Sequence, residues 1–361
     1  MTTEFDDVKH LMAQLDPVPA TMFDGVARHP RSRALLARIL APASEPAAAS
    51  LPTRRRALGL AGAATLASVA GLTTFRSLDR VDVSRTPTVA MLHYDLVNGR
   101  AELNGTPPAA DAVLLKLADA ADRQPVTSVP ADAAFVYLQF NAWYLNVAVT
   151  QGQAGTAVVP TVVEQWTPLS RSGTARRREH RAEPVVIGYG SPETAAAVTG
   201  GSPVSDEVFP ADSLAGPAAE NLPLEAGNLR RALLGTGPVP ADVPDGYRLV
   251  RGVIDLHSEQ IVSPRLSAAL WRMLAGQPLA YLGMTVDRAG RAGEAIAFEA
   301  AVGLPRRWVL IIDPTSGRLN SCEEILTTDP GKLNVTVPAV IGYTLFLRQG
   351  WVPDDRTAAR P

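Results

Sequence analysis

The densest run of chemically active side chains in this 361-residue chain is Arg176-Arg177-Arg178-Glu179-His180-Arg181. On a β-strand, alternate side chains share a face, so Arg176, Arg178 and His180 would stand together there. Such a group can contact an anion or a lipid headgroup. The competing reading is a solvated hairpin edge whose charges discourage pairing with another strand. Glu323 and Glu324 are neighbours, so a strand points them to opposite faces. His93, His180 and His257 have no ligand-like spacing such as i, i+4. Asp255 and Glu259 flank His257, and a solvated histidine is favoured there over a metal site. Gly188-Tyr189-Gly190-Ser191-Pro192 is not a nucleophile elbow, because glycine comes too early and proline stands where glycine belongs. No phosphate-cradling loop and no dinucleotide fingerprint occurs. The single cysteine, Cys322, allows no intramolecular disulfide and reads as a small side chain beside a strand. These residues imply no cofactor, no metal and no catalytic constellation, so the chain is expected not to be an enzyme.

Composition narrows the partners. Net charge is −2, without the basic bias of a nucleic-acid binder. Charged residues make up 19% of the chain and hydrophobic residues 46%, a thin polar surface for a soluble protein. The basic residues are almost all arginine, with lysine only at 9, 116 and 332.

The elements that would position the arginine-rich run lie in residues 131–350, read as one α+β domain. Residues 77–130 form a mixed connecting segment and 351–361 a disordered tail. In the connecting segment, 89–92 and 94–97 suggest a strand and 111–121 a helix. Phe135 to Val149 and Thr161 to Trp166 are dense in aromatic and branched residues and read as strands. Ser170-Arg171-Ser172-Gly173 turns the chain, and Thr174 to Glu183 returns as a polar strand in an antiparallel hairpin. Residues 190–221, rich in Gly, Pro, Ser and Ala, read as a long surface loop. Helices are expected at Leu224–Leu234 and Ser263–Leu274, the second with a serine cap and proline at its first position. A meander follows, with strands at 281–287, 293–301, 308–312, 319–326 and 335–347. Its Asp313-Pro314-Thr315-Ser316-Gly317 segment has the residues of a tight turn. Helices on one face of a curved antiparallel sheet make an α+β domain.

Upstream lies a different kind of segment. Arg54, Arg55 and Arg56 precede nineteen uncharged residues, Ala57 to Phe75. As a helix these rise roughly 28 Å, against about 30 Å of bilayer hydrocarbon. Residues 54–76 therefore read as one transmembrane helix, and the arginine triplet places the N-terminus in the cytoplasm and residues 77–361 outside. A second reading makes Arg54-Arg55 a twin-arginine export signal, with cleavage near Ser68-Val69-Ala70. Gly59, Ala63, Ala67 and Gly71, spaced by four, offer a homodimer seam, although small residues abound throughout the chain. Residues 1–53 read as a cytosolic tail of short helices ending in a linker. Val8, Leu11, Met12 and Leu15 recur at helical spacing, so the tail is a candidate surface for a cytosolic protein partner. His10 and His29 have no cysteine beside them to form a zinc motif.

"LWRMLAGQP" (270–278), "DRAGRAGEAIAFE" (287–299) and "WVLIIDPTSGRL" (308–319) together resemble a family of actinobacterial single-span membrane proteins of uncharacterised function. "VYLQFNAWYL" (136–145) and "VEQW" (163–166) are similar to it as well. The helix, the meander and the Asp-Pro-x-x-Gly ending also resemble the half-barrel of LolA-like and RseB-like envelope proteins. That resemblance implies a concave apolar face able to hold a lipid or peptide. The expected function is a membrane-anchored, non-enzymatic envelope sensor or regulator; the alternative is an anchored carrier or binding module for a lipid or other apolar ligand.

Overall fold

A computed structural model describes residues 89–96, 107–150, 153–189, 191–200, 202–213, 218–235, 243–300, 302–331 and 333–360. The tail of 1–53, the apolar segment 54–76 with Arg54, Arg55 and Arg56, and the proposed homodimer seam lie outside these residues. Among the described residues, no helix is long and apolar enough to cross a membrane.

The described residues form an α+β fold around a large curved antiparallel sheet of ten strands, as expected from the sequence. The chain runs α1 (Asp111–Asp122), β1 (Phe135–Thr150), β2 (Gln153–Pro168), β3 (Thr174–Arg181), β4 (Val185–Tyr189), α2 (Pro192–Thr199) and β5 (Val204–Pro210). It continues through α3 (Ala226–Leu234), α4 (Asp245–Glu259), α5 (Pro264–Ala275), β6 (Ala280–Val286), β7 (Ala292–Ala300), β8 (Arg306–Ile312), β9 (Leu319–Leu326) and β10 (Ala339–Val352). Spatial order is β5-β3-β2-β1-β10-β9-β8-β7-β6, and β4 pairs with the far end of β2.

Local chemistry explains the main pairings. The aromatic and branched residues of β1 and β2 suit a pleated surface, and the two strands pair without a register break from Phe135↔Pro168 to Thr150↔Gln153. Between β2 and β3, Arg171 and Gly173 take positive φ (53° and 82°), the left-handed steps that bring β3 back alongside β2. The last strand, β10, inserts beside β1 from Phe135↔Val352 to Trp143↔Tyr343 and so joins the first hairpin to the C-terminal meander.

Both faces of the β6–β10 half are covered. On one, Ile296, Phe298, Trp308 and Leu310 pack against α1, α3, α4 and α5 through Leu114, Leu229, Val253, Leu270 and Trp271. On the other, Ala295, Val309, Ile311 and Ile325 meet Val89 and Tyr94, Leu333 and Val335, and the outer parts of β2 and β4 through Val158 and Ile187. Central strand β8 is therefore buried at every position. The face of the sheet opposite the helices is filled by the chain's own side chains.

Several expectations from the sequence need correction. Residues 190–221 are not simply a loop: Ser191 caps α2 in a capping box with Thr194, and β5 pairs with β3. Helix α4 is fifteen residues long, where the sequence suggested only a short helix or strand around His257. Residues 89–96 are extended but form no strand; they run beside β6, with Asp95 N–H and Leu96 N–H donating to Met284 O and Leu282 O. The end of the chain, read as a disordered tail from 351, begins inside β10. It then lies against β2, where Trp166 Nε1 donates to Thr357 O at 2.7 Å.

Candidate functional site

Three turns and two helix ends converge at one end of the sheet. Helix α4 stops at Glu259, and Ser263 opens α5 by accepting the Leu266 N–H at 3.2 Å, with Pro264 at the first helical position. Between them, Gln260 Oε1 accepts from Ala219 N–H at 2.6 Å and from Arg171 Nη1 at 3.3 Å, tying the β2–β3 turn to this link. The β8–β9 turn is held from two sides. Asp313 accepts from Thr315 N–H at 2.8 Å and from the Ser316 hydroxyl at 2.7 Å, and Trp271 Nε1 donates to Gly317 O at 2.7 Å. Gln124, just past α1, donates to Thr315 O at 3.1 Å.

These supports frame a cleft of about 850 Å³, within the ~300–1,000 Å³ typical of small-molecule sites. Its apolar wall includes Val126, Val129, Val136, Ile261, Val262 and Leu266. Val126 and Val129 are 57% and 51% exposed, so the mouth of the cleft is apolar as well. Its charged members are Arg171, Glu220, Glu259 and Arg318.

Burial sets the electrostatics. The Glu259 carboxyl is pushed up to about 7, first by burial and then by the charge of Asp255, against Arg177 and Arg171. Arg318 is exposed as a residue; its guanidinium is drawn somewhat below the usual arginine range, first by the partial desolvation at the cleft wall and then by repulsion from Arg291, with the charge of Asp313 opposing. Among the described residues no carboxylate comes within ion-pair distance of Arg318.

A smaller cavity of about 20 Å³, room for roughly one water, shares Val262, Ser267, Arg318 and Gln349 with the cleft. His257 lines it. Burial holds this imidazole down at about 4, so it is neutral at pH 7. Its Nδ1 lies 2.8 Å from Val253 O, and because a carbonyl only accepts, Nδ1 carries the proton. Nε2 is left as a buried acceptor with no partner among the described residues. The ring lies near Trp271 and Phe346, with centroids 6.2 and 5.8 Å away.

The residues singled out from the sequence are distributed differently. Arg176, Arg178 and His180 do share a face of β3, opposite Val208, Asp206 and Val204 of β5. The two arginines are already neutralised. Arg176 grips Asp206 with bonds of 2.8 and 2.6 Å, and Arg178 reaches Asp206 at 3.4 Å and lies 5.7 Å over the Trp166 ring. His180 is exposed beside them. This geometry fits a structural ion-pair group better than an anion site, and β3 is not the solvated edge that the sequence suggested, because β5 pairs along it from Thr174 to His180. Glu323 and Glu324 point apart as expected, to Arg288 at 2.6 Å and to Arg306 at 2.5 Å. His257 faces away from Asp255, which pairs with Arg251 at 3.2 Å on its own helix. Cys322 is buried, with its thiol pushed up to about 12 by burial. Among the described residues no group of three His, Cys, Asp or Glu is placed to hold a metal ion.

Sequence reasoning missed Glu259 and Arg318 as site residues, and the solvated His257 that it favoured over a metal ligand is instead buried. A signal for helix α4 existed in Val250, Val253, Ile254 and His257, which recur at i, i+3, i+4 and i+7. That spacing puts the histidine on the apolar face, where burial neutralises it. Comparison with the models of known protein families finds no match, and neither does comparison with curated proteins.

Proposed function

We propose that residues 89–360 form a binding domain for an apolar or amphipathic small molecule. We place the domain outside the cell, held by the 54–76 span with the N-terminus in the cytoplasm. The observation that carries the reading is the cleft itself. It combines an apolar wall and an apolar mouth with a few charged groups, on supports tied together by hydrogen bonds. The large curved antiparallel sheet, with helices α1, α3, α4 and α5 packed on one face, agrees with the likeness to LolA-like and RseB-like domains. In this chain the ligand site belongs at the end of the sheet, because the helix-free face is filled. A regulator would use the same cleft as its input and residues 1–53 as its output to a cytosolic partner; the helical spacing of Val8, Leu11, Met12 and Leu15 supports that extension.

Native mass spectrometry of the full chain tests the binding reading. A stoichiometric amphiphile is expected on the wild type and lost from a V126D/V129D double variant, whose exposed positions tolerate charge in the fold. A wild-type chain that carries and takes up no such molecule overturns it.

A further inference from the structure

The two carboxylates of the cleft stand in different surroundings. Glu220 is exposed, as is Arg318 in the same cleft. Glu259 is half-buried at the end of α4 and lines the same space as the apolar side chains of Ile261, Val262 and Leu266. The C-terminal end of a helix carries the negative end of its dipole, which opposes a further negative charge there. Among the described residues no cation comes within ion-pair distance of the Glu259 carboxyl. Charged groups act on it from three elements: Asp255 one turn back on α4, Arg177 on β3 and Arg171 in the β2–β3 turn. Asp255 pairs with Arg251 at 3.2 Å, and Arg171 donates to Gln260 Oε1 at 3.3 Å. Burial outweighs both arginines and leaves the carboxyl poised at about 7.

We propose that the cleft takes up an uncharged apolar chain together with a proton on Glu259, so that the ligand is held while this carboxyl is neutral and released when it ionises. This rests on the binding reading above and adds its control. A chain lying on Ile261, Val262 and Leu266 displaces the water that still reaches Glu259. Losing that water costs a carboxylate far more than it costs a carboxylic acid. The ligand therefore raises the proton affinity of Glu259, and by linkage the proton raises the affinity for the ligand by the same factor. For each tenfold rise in proton affinity, the ligand binds tenfold less tightly in alkaline than in acid solution. His257, held at about 4, is neutral throughout this range and takes no part. Glu220 and Arg318 reach bulk water, so a ligand on the apolar wall changes their solvation little.

The test uses the full chain in lipid nanodiscs and a hexadecanol carrying a mid-chain diazirine, a probe with no charge of its own across the pH range. After irradiation, adducts on peptides spanning 124–129 and 259–267 report occupancy of the cleft, and adducts on lipid report how the probe partitions. With the probe below saturation, cleft labelling of the wild type should be level below about pH 6 and fall several-fold, up to about tenfold, by pH 8.5. E259Q cannot ionise and should label at the acid level at every pH. Unlabelled hexadecanol added to the wild type at pH 7.5 in weak buffer should also draw protons from solution, up to about one per chain, as read by an indicator dye. E259Q should draw none. If wild-type labelling is level from pH 6 to 8.5, if it falls equally in E259Q while circular dichroism is unchanged, or if occupancy draws no protons, the coupling is overturned and the binding reading stands. If the probe labels the cleft at no pH, the binding reading falls with it.

Discussion

Glu259 carries a consequence for stability that its exposed-looking place in the sequence hides. Its carboxyl sits at about 7 in the folded chain, against roughly 4.3 when free, because burial outweighs the nearby arginines. A raised carboxyl pKa means that the folded state holds the proton more tightly than the unfolded state. Stability is therefore unaffected by this group below about pH 4, and it falls as pH rises through about 7. His257 acts in the opposite direction: held near 4, it favours the fold above the ordinary histidine range and loses that advantage as pH falls toward 4. Substituting Glu259→Gln removes only the first effect. Urea unfolding midpoints of the variant and wild type should coincide at pH 4 and separate at pH 8, with the variant higher. Equal midpoints at pH 8 would show that Glu259 ionises freely. Nothing in "LHSEQ" announces this; the carboxyl becomes perturbed only because the 260–263 link folds it beneath the β2–β3 turn.

Turns decide the site at the scale of elements. The β8–β9 turn was legible from Asp313-Pro314-Thr315-Ser316-Gly317, and it forms with the expected aspartate bonds and with Gly317 at φ +64°. Its role beyond reversing the chain was not legible. The turn docks on α1 so closely that a Cβ at Gly317 would stand 2.5 Å from Leu117 O and 2.7 Å from Ala121 Cβ. Its carbonyl also receives the Trp271 indole, and the next residue is Arg318. Gly317→Ala combines a disfavoured φ with a backbone clash, at a cost on the order of 2–3 kcal/mol. The variant should melt several degrees lower than the wild type when thermal unfolding is followed by circular dichroism. By contrast, Gly173 has the same kind of φ with open space around it, so alanine there meets only the conformational strain.

For the whole molecule, the decisive proposal is that the chain works on both sides of a membrane. Alkaline phosphatase fused after Pro361 should be active and the same enzyme fused after residue 50 inactive, since phosphatase matures only outside. Replacing Arg54, Arg55 and Arg56 with serine should reduce the exported fraction, because the basic triplet sets the orientation. An inactive fusion at Pro361 would return the binding domain to the cytoplasm. The filled sheet has a second molecule-wide effect. With β6–β10 covered on both faces, the sheet acts as a rigid wall, and the ligand space is pushed to its end, where turns and helix termini meet.

The amino-acid order alone determined the α+β class, the hairpin around Ser170–Gly173, the Ser263 cap and the C-terminal meander. Those features rest on local patterns: alternation along a strand, capping side chains and turn residues with particular φ. It did not reveal α2 or β5, whose glycine- and proline-rich surroundings mask a short cap and a short alternation, and it marked α4 only as a short helix or strand around His257. Only the tertiary structure decided which charges matter. It neutralised Arg176 and Arg178 on Asp206, brought Arg318 and His257 from distant segments to one cavity, and perturbed Glu259. The physical reason is that charge acts through distance and burial, and both are set by contacts between residues far apart in the chain.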